Sequence, residues 1–187
     1  MFSHLLAGEL VFLVLGYAFG FNITPKFLFF GALCGFLPDI LSIFLKGKSV
    51  KVNKWYHKHR DNFSHSVFLP ITIFLFLFFW IDIYLNLLIF LAIASHMFLD
   101  MWGIGWGIKL FLPFSDKVYK LFYDKKIIKK FKSEKERESH IKKHGRNDWF
   151  KAAYFFTPDS GWLKWWGVFE WISLALAIFL LLFYSLI

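Results

Sequence analysis

Residues 67–102 read VFLPITIFLFLFFWIDIYLNLLIFLAIASHMFLDMW, two apolar runs separated only by the charged residue Asp82. As one helix, this stretch would be about 54 Å long at 1.5 Å per residue, well beyond a bilayer core of about 30 Å. We therefore expect a tight hairpin near Asp82. A hairpin would return His65 to the membrane level of His96, whereas a single helix would hold them about 46 Å apart.

The composition of the whole chain places it among membrane proteins. Of its 187 residues, 58% are hydrophobic and 23% are aromatic, and the mean hydropathy is +0.52, which is far from the balance of a soluble domain. A spanning helix needs about 20 residues, with roughly 17 as the lower end. The candidate helices cover residues 5–21, 27–45, 67–81, 83–102 and 168–187, of which only the third is short. We expect an all-α, multi-pass bundle of about five transmembrane helices.

The bundle is expected to form a single membrane domain over residues 1–187, with a basic insertion at residues 116–166 inside it. Lysines crowd residues 46–60 and 117–151, and the positive-inside rule places both segments in the cytoplasm. Alternation of the helices then places the N-terminus inside. By this topology six ligand-type side chains gather at the cytoplasmic membrane face: His4, Asp39, His59, His65, His96 and Asp100.

Imidazole and carboxylate groups at this depth suggest a metal site. They are the side chains that bind zinc and similar divalent ions, and ionisable groups are costly inside a membrane. His96 and Asp100 are four residues apart, so a helix projects them from one face. Two other interpretations stay open. His96 could be a neutral imidazole hydrogen-bonded across the bundle, and Asp100 could lie at the membrane interface, cap a loop or pair with a lysine.

Two further segments add polar groups near the same face. Pro38 precedes Asp39 within FLPDIL, and a proline inside a helix frees a carbonyl and bends the segment, which would help to open a polar pocket. A purely structural kink is the alternative. Arg60 is suited to bidentate recognition of a phosphate or carboxylate, or to binding of lipid headgroups without chemistry. His57, in the same basic loop, is expected to be a solvated surface residue.

The insertion after residue 116 is rich in lysine. Its apolar residues recur at helix-like intervals, which predicts a basic helix lying on an anionic membrane surface. These residues are Val118, Leu121, Phe122, Ile127, Ile128 and Phe131. The membrane context makes anionic lipid the expected partner, and no nucleic acid is expected. Further along, Glu136, His140 and His144 would align on a helix, as a solvated face or as additional metal ligands.

The motifs also match a known family. The segments LPD at 37–39, HRDNFSHS at 59–66, HMFLD at 96–100 and WGIKLFLPFS at 106–115 resemble those of the YdjM family of inner-membrane, metal-dependent hydrolases. His4 before an apolar helix is similar to the family pattern as well. Leu41 departs from it, since many members carry a second aspartate there.

The order of these ligands is also similar to that of the zinc-dependent phospholipase C and P1 nuclease superfamily. This second resemblance implies hydrolysis of a phosphoester in a lipid or lipid-linked substrate by water activated on one to three divalent ions, with zinc as the expected metal. The implied metal ligands are His4, Asp39, His65, His96 and Asp100. Asp39, Asp100 and Arg60 would serve catalysis, with His59 beside Arg60 at the rim.

Two functions of other classes fit the same residues. Buried acids and histidines also build transport paths, so an ion or metal carrier could use Glu9 together with His4, Asp39 and His96. A noncatalytic scaffold could bind acidic lipids or a partner protein through the basic insertion. The sequence does not separate these functions from hydrolysis, and it does not specify an oligomeric state.

Overall fold

The computed structural model describes residues 2–45, 61–102, 107–123, 126–131, 136 and 163–186. Most of these residues are helical, which confirms the all-α class. The elements in chain order are α1 (Phe2–Ala18), α2 (Pro25–Leu45), a 3-10 turn (Phe63–His65), α3 (Phe68–Leu77), α4 (Ile83–Trp102), strands β1 (Tyr119–Tyr123) and β2 (Lys126–Lys130), and α5 (Leu163–Leu186).

Three of the described helices, α2, α4 and α5, contain 20-residue segments long and apolar enough to cross a membrane. Helix α3, with 10 residues, is short as expected. Helix α1, with 17 residues, is shorter than a typical span because it ends in a glycine cap: Gly20 has φ +79°, and the Phe21 N–H donates to the Gly16 carbonyl at 2.9 Å. This 6→1 bond across a left-handed glycine is a Schellman motif.

The hairpin expected at Asp82 is confirmed. Helix α3 packs against α4, and Asp82 Oδ1 accepts the backbone N–H groups of Tyr84 at 2.9 Å and Leu85 at 3.1 Å. The carboxylate therefore caps α4 by binding amides that lack a partner within the helix. A second link joins the two helices, because Asn86 Nδ2 donates to the Phe74 carbonyl at 2.8 Å.

The Asp82 cap leads to a prediction about stability. We expect Asp82→Ala to lower the free energy of unfolding by about 1 kcal/mol, the usual cost of losing an N-cap. Asp82→Asn keeps a capping oxygen and should retain most of that stability. Denaturant titration of both variants in detergent measures the difference. Equal losses of stability in the two variants would show that the charge of Asp82, rather than its capping oxygen, stabilises the fold.

Helices α1 and α2 approach each other closely at glycine residues. A Cβ added to Gly8 would overlap the Gly31 carbonyl oxygen, and a Cβ added to Gly35 would overlap the His4 carbonyl oxygen and lie 2.9 Å from the Gly8 Cα. Only hydrogen-bearing Cα atoms fit in this gap, as in other close helix pairs of membrane proteins. The contact brings the first turn of α1, which carries His4, against the middle of α2.

The helix predicted for the basic insertion is wrong: the described part forms an antiparallel β-hairpin. Tyr119 pairs with Lys130 and Leu121 with Ile128, and Ile108 bridges to Tyr119 through bonds of 3.0 and 2.9 Å. Over five residues, helical and strand periodicity are hard to separate. The aromatic and β-branched content of YKLFY and KIIKK, joined by a two-residue loop in the sequence, favours strands.

Candidate metal centre

Four segments bring their ligand-type side chains together at one end of the bundle. His4 lies in the first turn of α1, Asp39 in the second half of α2, His65 at the end of the 3-10 turn, and His96 and Asp100 near the end of α4. Four of the five are buried, while the Asp39 side chain is 17% exposed. The structure therefore brings these five residues together, and Asp39 lies on the more open side.

Most of the other residues considered from sequence lie in parts of the chain that the structure does not describe. His59 and Arg60, as well as His57, His140 and His144, lie outside the described residues. Glu136 is described and half-buried, but it belongs to neither of the two potential metal-binding groups found among the described residues.

Three ligand atoms form a nearly equilateral triangle. His65 Nε2 lies 3.2 Å from His96 Nε2 and 3.3 Å from Asp100 Oδ2, and His96 Nε2 lies 3.5 Å from Asp100 Oδ2. Ligand atoms about 2.1 Å from a tetrahedral zinc ion lie about 3.4 Å from one another. The triangle therefore has the dimensions of one face of a tetrahedral site, with the fourth position left to water or substrate.

A second group overlaps the first. His4, Asp39 and His96 offer ligand atoms within 4.8 Å of one another. Asp39 Oδ1 lies 3.4 Å from His65 Nε2 and 3.8 Å from His96 Nε2, while His4 Nε2 lies 3.4 Å from Asp100 Oδ1. His96 is common to both groups, so it is the residue on which the whole centre depends.

The hydrogen bond of His96 fixes which of its nitrogens can bind a cation. His96 Nδ1 lies 2.8 Å from the Gly35 carbonyl oxygen, and because a carbonyl only accepts, Nδ1 must carry the proton. In the neutral ring, Nε2 then carries a lone pair that is directed at carboxylate oxygens and at His65 Nε2. A cation or a proton is needed between these electron-rich atoms. At metal sites, a ligand histidine usually donates its other N–H to a backbone carbonyl or a similar acceptor, as His96 does here.

The same arrangement recurs at His65. Ser64 Oγ lies 3.0 Å from His65 Nδ1 and can accept a hydrogen bond from the Nδ1–H group, which again leaves Nε2 for the cluster. Burial lowers the pKa of His65, so the ring is neutral near pH 7, and the neutral form is the one that ligates metal. His4 Nδ1 is buried and has no hydrogen-bond partner within the described part of the chain. The residues present therefore fit a divalent cation.

Local sequence explains how α2 supplies both an acid and a carbonyl to the centre. Pro38 lies inside α2 and has no N–H for the carbonyl four residues earlier. The adjacent Gly35 carbonyl accepts the bond from His96, and Gly35 has no side chain to keep α1 away. The segment GFLPD thus combines close approach, a polar backbone and a carboxylate within five residues.

One buried acid near the centre was missed from the sequence. Glu170 of α5 is 2% exposed and hydrogen-bonds Ser3, the residue before His4. The signal was available, because Glu170 is an ionisable residue inside an apolar run, the same criterion that singled out Asp39 and Asp100.

These features define a class: a helical membrane protein with a buried histidine–aspartate centre that can hold a metal ion. The chain matches the model of the family described as YdjM inner membrane protein over residues 1–187, and it belongs to that family. No curated protein and no solved structure matches the chain. The resemblance of its motifs to the YdjM family is thus confirmed, whereas the similarity of ligand order to the phospholipase C and P1 nuclease superfamily stays a prediction.

Proposed function

We propose that this protein is a membrane-bound, metal-dependent hydrolase that cleaves a phosphoester bond in a lipid or lipid-linked substrate. The observation that supports this proposal most directly is the triangle formed by His65, His96 and Asp100, which leaves a tetrahedral position open. Structural zinc sites use four protein ligands, whereas catalytic sites keep one position for water or substrate.

His4, Asp39, His65, His96 and Asp100 would hold the ion or ions. A bound divalent ion would supply a water of lowered pKa and would polarise a phosphoryl oxygen. Asp39, the most exposed of the five, is suited to orient a water at the open side and accept its proton. Arg60 would neutralise the phosphate, as its guanidinium geometry allows.

The proposal includes a location for the reaction. The ligands come from one end of the bundle, and the positive-inside rule assigns that end to the cytoplasm. A lipid headgroup could reach the centre there while its chains stay in the bilayer. Labelling of a cysteine introduced between residues 46 and 60 tests the orientation, and labelling from the outer side of intact cells would contradict it.

Hydrolysis is tested with Asp100→Asn. The amide removes the charge of a ligand while keeping its shape. Two zinc-dependent reactions can be measured: release of nitrophenol from bis(p-nitrophenyl) phosphate and release of headgroup from mixed phospholipid micelles. Each rate should fall at least about 100-fold. Ser95→Ala is the matched control. The Ser95 hydroxyl donates to the Ala92 carbonyl of its own helix at 2.7 Å, so its loss should leave turnover unchanged. Equal turnover in Asp100→Asn and wild type would refute the proposal.

A metal or ion carrier is the second candidate, favoured by Glu9. This residue of α1 is 1% exposed, and its Oε2 has no hydrogen-bond partner within the described segments, so a buried acid lies on the helix that also carries His4. A carrier predicts zinc uptake by proteoliposomes that is lost in Glu9→Gln, without cleavage of either phosphoester. Cleavage without flux would exclude this alternative.

A further inference from the structure

A buried carboxylate connects the last helix of the bundle to the beginning of the first. Glu170 Oε2 accepts the backbone N–H of Ser3 at 3.0 Å, and Glu170 Oε1 accepts the Ser3 hydroxyl at 2.8 Å. Both residues are buried. Helices α1 and α5 also pack along each other, so these bonds lie within an established helix contact.

The two bonds have a specific effect on α1. The N–H of Ser3 belongs to the first turn, where amides have no carbonyl partner within the helix. A carboxylate is favourable at this positive end of the helix, and bonds to a charged acceptor are shorter and stronger than bonds between neutral groups. Glu170 therefore caps α1 from another helix, using both of its oxygens on one residue.

The capped residue is adjacent to a ligand. His4 follows Ser3 directly; its Nε2 lies 3.4 Å from Asp100 Oδ1, and its ring stacks on His96 with centroids 3.9 Å apart. A first turn that frays would release His4 from both contacts. We propose that Glu170 is a positioning residue: by holding Ser3, it fixes the first turn of α1 and keeps His4 in the centre. This inference rests on the proposed metal function.

A role in helix packing alone is the competing explanation, and Ser173 provides the control for it. Ser173 lies one turn after Glu170 on α5 and is also buried, but its hydroxyl donates to the Phe169 carbonyl of the same helix at 2.8 Å. Ser173→Ala therefore removes a buried polar group from α5 without breaking a bond to α1.

The first measurement is zinc affinity in detergent, by competition with a chelator. Glu170→Gln should weaken zinc binding about 10-fold, at the lower end of what loss of a supporting residue costs a metal site. Ser173→Ala should bind as wild type does. Ser3→Ala loses the hydroxyl but keeps the N–H, so it should have a smaller effect, and it should add little to Glu170→Gln in the double variant because both remove the same contact.

The second measurement uses metal-free protein, so that it does not depend on the proposed function. In nitrogen NMR spectra of protein labelled at histidine, the His4 signals are assigned by their loss in His4→Gln. Glu170→Gln and Ser3→Ala should both shift the His4 signals and leave those of His65 in place. Unchanged His4 signals in both variants would overturn the inference.

The outcomes separate the two proposals. Wild-type protein that binds no zinc would refute the metal function, and the His4 signals would still decide the role of Glu170. Equal losses of zinc affinity in Glu170→Gln and Ser173→Ala would assign Glu170 to general packing and overturn the positioning role. If Glu170→Gln does not fold, Ser3→Ala carries the same test with a smaller perturbation.

Discussion

Replacing His96 with alanine is expected to remove metal from the whole centre. His96 belongs to both ligand groups, and its Nδ1 is bonded to α2 through the Gly35 carbonyl, so its loss removes a ligand from each group. We expect purified His96→Ala to lose more than about 100-fold in zinc affinity, beyond what outer supporting residues cost. Elemental analysis of protein purified with one equivalent of zinc measures the loss directly.

Two controls make the His96 result specific. Ser95→Ala alters the neighbouring position of α4 and should retain metal. His96→Gln keeps a polar side chain that can bond Gly35, so comparison with His96→Ala separates loss of the ligand from loss of that bond. Zinc content equal to wild type in both His96 variants would show that His96 is not a zinc ligand and would contradict the prediction.

Gly35→Ala is expected to have the second large effect. The added Cβ would meet the His4 carbonyl oxygen and the backbone of Gly8, and backbone atoms cannot move aside as a flexible side chain can. Helix α1 must therefore shift, at a cost of about 1–3 kcal/mol in the free energy of unfolding. Because His4 moves with α1, zinc affinity should fall as well. Denaturant titration and zinc competition measure the two effects on one preparation.

Leu33→Ala serves as the control for Gly35→Ala. Leu33 lies two residues earlier on α2 and is exposed, so its truncation changes the same helix without altering its distance from α1. It should leave zinc affinity at the wild-type value. Wild-type stability and zinc affinity in Gly35→Ala would contradict the close α1–α2 contact.

The hairpin and the composition of the centre were predictable because the membrane makes polar groups informative. An apolar run of 36 residues cannot cross a bilayer as one helix, and each ionisable residue inside such runs is costly. The predicted helix ends therefore place His65 at the membrane level of His96. The family match is consistent with that placement, since the motifs that carry it contain the same residues.

Other features depend on distances that a sequence does not contain. The bond from His96 to the Gly35 carbonyl requires that α2 and α4 approach within hydrogen-bonding range at that point. The strands at residues 119–130 were misassigned because five-residue segments carry too few positions to establish a period. Glu170 was passed over although it met the rule, because the partner that explains it lies 167 residues away.

That separation has a consequence for biosynthesis. Ser3 leaves the ribosome 167 residues before Glu170, so the first turn of α1 stays without its cap until α5 has been made and inserted. With Glu170 in the positioning role proposed above, His4 takes its final place only after α5 is present. Chains cut short before α5 would enter the membrane with the first turn of α1 uncapped and with His4 not yet held in the centre.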